Sequence, residues 1–164
     1  MAQAGYRAVR ELVSILAEPA GGVEQELLEI AHSRGVDAHA AAASVIQQNA
    51  SPELLDKTGL PTYPALHVSC ERVSNELREK FRSFSGTVGL AIEVRVTHDR
   101  LEGLEEQLHA CVDAVTAVLD RNRGTWPQGM FFSGAYEVAF SAAKRGGRNY
   151  VQTARVRLSV DVSM

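Results

Sequence analysis

Side chains that could do chemistry are few and scattered along this chain. His109 and Cys111 lie two residues apart in a stretch of helical periodicity, so they do not face each other as a Cys–His nucleophile would require. His98, Asp99 and Glu102 could support acid–base chemistry, but the two acids are explained more simply as helix-capping residues. The sequence has no Walker loop, H-E-x-x-H, G-x-S-x-G or zinc-binding pattern. We therefore predict no catalytic residue, no metal site and no cofactor. The alternative is a small α+β enzyme with an unrecognised site.

Charge is the more informative pattern. From Asp99 to Asp120 the chain carries six acids and one base, and from Lys144 to Arg157 it carries five bases and no acid. The basic segment includes the tetrapeptide Arg145–Arg148, R-G-G-R, which could suggest RNA binding. A single copy without Gly/Arg-rich surroundings is more typical of a hairpin turn. Two oppositely charged patches on one chain favour a contact between proteins. The alternative is that both are ordinary solvated surfaces.

Composition excludes several classes of protein. The 164 residues, 17.8 kDa in mass, suit one domain, perhaps with an appendage. With 17 basic and 20 acidic residues the net charge is −3, too mild to indicate a nucleic-acid binder. No apolar run approaches the roughly 20 residues of a membrane span, and the N-terminus lacks a signal-peptide layout. Cys70 and Cys111 lie far apart and predict two reduced, small core residues in an intracellular or particle-bound protein.

The N-terminal part, residues 1–63, predicts helices followed by a connector. Apolar residues recur at helical spacing up to Leu16, and again in a second helix from about Val23 to Ser33. A third, Ala-rich helix is predicted from Asp37 to about Gln48. Residues 50–64 contain three prolines and predict a connector with one short helical turn at 52–56.

The C-terminal part, residues 64–164, predicts four strands and one long helix. Apolar residues alternate over 65–70, 88–96, 130–140 and 150–162, whereas 71–80 is polar and predicts either a helix or a long loop. A helix capped by Asp99 carries an apolar stripe on one side. Its predicted members are Leu101, Leu104, Leu108, Cys111, Val112, Val115, Val118 and Leu119. The predicted fold is therefore α+β: a mostly antiparallel four-stranded sheet covered by a long amphipathic helix, with an N-terminal helical segment.

Aromatic residues add two local predictions. Phe131 and Phe132 are adjacent in a strand, so they should lie on opposite faces and one should enter the core. The other is either a subunit or tube contact or is covered on a second buried face of the sheet. Trp126, which precedes Pro127, is predicted to lie in a loop as a lid on the core; the alternative is an exposed interface anchor.

This order of elements resembles the tail terminator, or tail-completion, proteins of long-tailed bacteriophages. The resemblance covers about residues 64–162 and rests on four segments. They are the extended entry PTYPALHV, the strand GTVGLAIEVRV, the helix RLEGLEEQLHACVDAVTAVLDRN and the hairpin FFSGAYEVAFSAAKRGGRNYVQTARVRLSVDV. The N-terminal part carries more helix than a minimal member would, which leaves another head–tail neck or connector adaptor protein as the alternative.

The resemblance implies a mechanical role without a reaction or a cofactor. Such proteins form a ring, usually a hexamer, on the finished tail tube, where the ring stops polymerisation and receives the filled head. The implied partners are further copies of the chain, the tail tube protein and the head–tail connector or neck proteins. DNA would pass the lumen with at most non-specific contacts, and no membrane is involved. The implied location is the tail or neck of the virion, assembled in the host cytoplasm.

Within such a ring, the acidic and basic segments become a hypothetical subunit interface. A head-to-tail ring requires two different, complementary patches on each copy. The hypothesised interface residues are Glu102, Glu105, Glu106, Asp113, Lys144, Arg145, Arg148 and Arg155.

Overall fold

The computed structural model describes residues 2–35, 44–47 and 63–164. Within these ranges the helices are α1 (Ala2–Leu16), α2 (Val23–Arg34) and α3 (Leu104–Arg121). The strands are β1 (Ser44–Gln47), β2 (Ala65–Asn75), β3 (Ser85–His98), β4 (Gly124–Trp126), β5 (Met130–Phe140), β6 (Lys144–Gly146) and β7 (Asn149–Ser163).

All seven strands belong to one mixed sheet that curls into a half-barrel. The strand order is β1-β2-β3-β7-β5-β4, and β6 pairs with β7 beyond the end of β5. Only the β1–β2 pair is parallel among the pairs of the described strands. The prediction of a four-stranded sheet with one long covering helix is therefore wrong.

The prediction missed β1, the second half of β2 and the short strands β4 and β6. Ser44–Gln47, predicted as the end of an Ala-rich helix, pair instead with residues 65–68. The rest of that predicted helix, and most of the predicted connector with its turn at 52–56, lie outside the described residues. Residues 71–75, predicted as helix or loop, continue β2 because Val73 pairs with Val88 of β3 after a bulge between Cys70 and Arg72.

The core lies between the sheet and the helices. The predicted inner face of β3 is buried throughout, with Val88, Leu90, Ile92, Val94 and Val96 at 1% exposure or less. Residues of α1 and α2 belong to the same hydrophobic cluster as α3 and the sheet. This shared core fixes the positions of the strand ends and loops that form the molecular surface.

The long helix begins later than predicted. Its apolar stripe is buried except for Leu101, which is 60% exposed because α3 starts only at Leu104. The N-cap is Gly103, in a left-handed conformation at φ +80°, without a side-chain cap. Asp99 does not cap the helix; its Oδ1 lies 3.2 Å from Nδ1 of His98. The predicted capping of this helix by Asp99 is therefore wrong.

The predictions that one of the two adjacent Phe residues enters the core and that Trp126 covers the core are confirmed. Phe132 is fully buried and Phe131 is 47% exposed. Trp126 is also buried, although it lies in β4 and not in a loop. Its ring packs 5.5 Å from that of Phe132, and its Nε1 donates to the Asn122 carbonyl at 2.7 Å. This hydrogen bond satisfies the polar end of a side chain that otherwise covers the core.

Candidate interaction surfaces

The basic segment forms a projecting hairpin made of β6 and the start of β7. Arg145 pairs with Tyr150, and Gly147 occupies the tip at φ +70°, a left-handed conformation that suits glycine. Lys144, Arg145 and Arg148 are all exposed. Within the described ranges, none of these three bases forms an ion pair, so their charges face solvent.

The acidic segment begins at the same end of the sheet. Tyr150 also pairs with His98, the last residue of β3, and the exposed turn that contains Glu102 follows directly. Glu105 and Glu106 then occupy the first turn of α3, where negative charge interacts favourably with the helix dipole. The acidic and basic patches are thus neighbours within one copy of the protein.

Three of the eight hypothesised interface residues already have partners within the chain. Oδ2 of Asp113 lies 2.7 Å from Nη2 of Arg34, which links α3 to α2. Nη2 of Arg155 lies 2.7 Å from Oε1 of Glu71. Oε1 of Glu105 lies 3.9 Å from Nε2 of His109, one turn further along α3. The five other residues, near the start of α3 and on the hairpin, form no ion pair within the described ranges.

The sheet face opposite the helices carries a buried charged cluster that the sequence analysis did not identify. His67 pairs with Glu93, and Nε of Arg95 lies 2.6 Å from Oε1 of Glu93. His67 is 4% exposed, and neither of its ring nitrogens has a hydrogen-bond partner in the described part of the chain. Burial lowers the pKa of His67, the nearby Arg95 lowers it further, and Glu93 opposes both. The sequence indicated this position only through the alternation of residues 65–70, which puts His67 on the sheet face away from Leu66 and Val68.

The loop between β2 and β3, residues 76–84, uses its polar groups to hold itself against the end of β7. Nη1 of Arg78 lies 3.0 Å from Oδ1 of Asp161, and Ser163 Oγ donates to Oε2 of Glu79 at 2.8 Å. Backbone hydrogen bonds join Phe84 and Met164 in both directions, at 3.1 and 2.8 Å. The loop is thereby attached to the sheet at several points.

The same loop exposes two of its three large apolar side chains, while the third, Phe84, is buried in the core. Phe81 is completely exposed, and Leu77 is 66% exposed. Both residues have positive φ, +68° for Phe81 and +48° for Leu77. This left-handed conformation costs roughly 1–2 kcal/mol for a residue with a Cβ. The loop therefore presents apolar groups to water in a conformation that is itself unfavourable.

A groove of about 440 Å³ crosses the sheet face opposite the helices, and we call it the outer-face groove. Thr87 and Gly89 of β3 and Ser159 of β7 lie along it. Ala135 of β5 contributes apolar surface, whereas Tyr136, which also borders the groove, is in register with the buried Leu158 on the helix-covered face. Its remaining lining is Glu71, Arg72, Leu90, Ser133, Glu137, Arg157 and Leu158.

The outer edge of β5 is a further exposed feature. β4 covers only Met130–Phe132, and from Ser133 to Phe140 no described strand pairs with this edge. Tyr136 and Phe140 are 36% and 46% exposed there. Unpaired strand edges with apolar side chains readily accept another chain.

Neither cysteine is poised for chemistry. Cys111 is buried, which raises the pKa of its thiol to about 12, and burial also raises the pKa of the half-buried Cys70. Both are free thiols, as predicted. In the described ranges no three His, Cys, Asp or Glu side chains are grouped as metal ligands, and no helix has the length and apolar character that a membrane crossing requires.

Comparison with protein-family models, and with curated protein sequences, finds no match for this chain.

Proposed function

We propose that this protein is a structural component that forms a ring at the head-proximal end of a phage-type tail tube, ends tube polymerisation and joins tail to head. The observation that carries the proposal is the β2–β3 loop. Its polar groups fix it to the fold, while Phe81 and Leu77 extend into water. Exposed apolar groups on a fixed support are typical of surfaces that bind another protein. The identity of the partners rests on the resemblance of residues 64–162 to tail terminators.

The proposed mechanism is competition for a surface. The ring occupies the edge of the last tube ring, where the next tube subunit would add, and presents a different surface to the head. The open edge of β5 supports this role because it offers backbone groups to a neighbouring chain. No reaction and no cofactor is needed, and the proposed location is the tail or neck of the virion.

The alternative proposal is another neck or connector adaptor between head and tail. The observation that favours it is the integration of α1 and α2, whose buried residues belong to the same core cluster as the sheet. These helices are more than the resemblance to a minimal terminator requires. An adaptor would join completed tails to heads without limiting tail length.

Electron microscopy of particles made without this coding sequence separates the two roles. A terminator predicts overlong tubes together with filled heads that lie apart from them. A neck adaptor predicts tails of normal length that fail to join heads. Complementation with the wild-type sequence is the control and should restore complete particles. Unchanged, infectious particles would refute both proposals.

A further inference from the structure

We propose that β5 and β6 of one copy pair, edge to edge and antiparallel, with β5 and β6 of a second copy around a two-fold axis at Phe140. The partner is the protein itself, and the two sheets become one continuous sheet in the dimer. This inference goes beyond the proposed function and does not rest on it, because it concerns the free protein before any assembly. It follows from the extent of the open edge, its backbone groups and the charges along it.

The open edge has a definite length. β4 covers the edge of β5 only as far as Phe132, and β6 continues the edge to the end of the hairpin. Because β5 and β6 both pair with β7, the edge can be measured along β7, where it extends from Ser159 to Asn149. The middle of this stretch is Ala154, which pairs with Phe140. A two-fold axis at Phe140 therefore matches the whole open edge, and the hairpin of one copy ends where β4 of the other begins.

The backbone groups on this edge suit such a pairing. The amide of Ser141 donates to the Thr153 carbonyl at 2.9 Å, so the backbone at this position is turned towards β7. Hydrogen bonding alternates along an antiparallel pair, so the amide and carbonyl of Phe140 point the other way, towards the open edge. Phe140 of a second copy presents the same two groups, and the pair can exchange both hydrogen bonds across the axis.

Exposed aromatic side chains lie where the two copies would meet. Phe140 is 46% exposed on the helix-covered face, and its ring stacks on that of His109 with 4.5 Å between the centroids. Pairing brings the two Phe140 side chains together at the axis and sets Tyr136 of each copy opposite Arg145 of the other. Residues 139–145 are all exposed, so the edge is open to a second chain. Aromatic cross-strand pairs stabilise a sheet and remove apolar surface from water.

The charges along the edge are complementary in this register. Measured along β7, Glu137 lies three positions from Phe140 in one direction and Lys144 lies three positions from it in the other. Glu137 of each copy therefore lies opposite Lys144 of the other, and the dimer contains this pair twice. Glu137 is also in register with Arg157, but that guanidinium contacts Glu71 at 3.2 Å. Both Glu137 and Lys144 are exposed, and neither forms an ion pair in the described part of the chain.

Disulfide trapping tests the position of the axis. F140C should form a disulfide-linked dimer with itself under mild oxidation of the concentrated protein. Y136C is the matched control: Tyr136 is also exposed on this edge, at 36%, but its two copies would lie about 26 Å apart, so the yield should be at least about tenfold lower. A mixture of Y136C with R145C, which face each other and leave Phe140 in place, should be trapped. The wild-type chain, with its free Cys70 and Cys111, gives the background.

Charge exchange tests the same contact without cysteines. We expect the wild type to form a reversible dimer in analytical ultracentrifugation. E137K and K144E each turn two attractive pairs into two repulsive ones and should raise the dissociation constant of the dimer about tenfold. The E137K/K144E double variant restores both pairs with their signs exchanged, so it should dimerise about as well as the wild type. E24K makes the same charge change at an exposed position on α2 and should leave association unchanged.

Trapping of F140C together with recovery in the double variant supports the proposal. A wild-type protein that stays monomeric at its highest soluble concentration would overturn it, as would an F140C protein that gives no dimer above background. A double variant that associates no better than E137K would also refute the pairing. Trapping of an F140C and Y136C mixture, but not of F140C alone, would place the axis at Val138 and refute this register. None of these results depends on the microscopy that tests the proposed function.

Discussion

His67 provides the sharpest test of the structure, because it is a buried ionisable group whose ring has no hydrogen-bond partner among the described residues. Both of its ring nitrogens are enclosed and unpartnered in the described part of the chain. A buried polar group without a partner costs about 1–3 kcal/mol relative to one that is satisfied. His67→Leu replaces the ring with an apolar side chain and leaves the Arg95–Glu93 pair intact. We expect this variant to be more stable than the wild type at neutral pH, by about 1–3 kcal/mol.

The pH dependence of stability follows from the direction of the pKa shift. The pKa of His67 is lowered in the folded state, so the unfolded chain binds more protons between that value and the ordinary value of 6.5. The free energy of unfolding is therefore at its full value when the pH is above the ordinary pKa of histidine. It decreases as the pH falls from there towards the lower pKa that His67 has in the folded protein. One proton limits the slope to about 1.4 kcal/mol per pH unit. Glu76, whose pKa is lowered by Arg78, loses its pairing at more acidic pH, outside this window.

The assay is urea unfolding at about pH 7.5, 6.5 and 5.5, followed by fluorescence. Trp126 is the only tryptophan in the sequence and is buried, so its emission reports loss of the core. In the wild type the free energy of unfolding should decrease as the pH is lowered from about 7.5 to 5.5. In His67→Leu it should change less over the same pH range. Leu101→Ala is the control, because Leu101 is 60% exposed and has no ionisable group, so its replacement should leave the slope unchanged. A destabilised His67→Leu protein, or one with the wild-type slope, would refute the reasoning.

Three further predictions concern the core, the turns and the proposed ring. Phe132→Ala should reduce the free energy of urea unfolding by about 3–5 kcal/mol, whereas Phe131→Ala should change it by less than about 1 kcal/mol, since only Phe132 is fully buried; equal losses would contradict the assigned faces. Gly129→Ala should lower the melting temperature more than Gly147→Ala, because both have positive φ but a Cβ at Gly129 would lie 2.3 Å from the Ser163 carbonyl oxygen and one at Gly147 meets open space. Combined Glu105→Lys and Glu106→Lys should weaken ring assembly, and adding Arg145→Glu should partly restore it if these patches pair between copies; equal sedimentation of all variants would exclude that pairing.

Sequence patterns predicted the elements that have one buried and one open face. The alternation in β3 and the apolar stripe of α3 are strong signals because a single face of each enters the core. The alternation of 130–140 and 150–162 likewise identified β5 and β7. These elements depend on local spacing, which is visible in the sequence.

Among the strands that were missed, β4 and β6 are three-residue strands that pair with nearby residues, whereas β1 depends on a partner in a separate part of the chain. Ser44–Gln47 became a strand because residues 65–68 offer a parallel partner, and no local pattern contains that information. The start of α3 was misjudged because Asp99 contacts His98 instead of the helix. The exposure of Phe81 was not predicted, because it follows from the conformation of the β2–β3 loop. That conformation is held by the contacts that Arg78 and Glu79 make with β7. Each of these features is tertiary in origin.

The position of β7 has a consequence for the order of events in folding. β7 is the last of the seven strands along the chain, yet it lies between β3 and β5 and pairs with both. Pairings between residues as distant as Ser85 and Ser163 form late, since long loops must close first. The loop that carries Phe81 gains its anchors, Asp161 and Ser163, only when this strand is in place. A chain still being synthesised therefore lacks the ordered loop, and Phe81 is held in its exposed position only after the last described strand has paired.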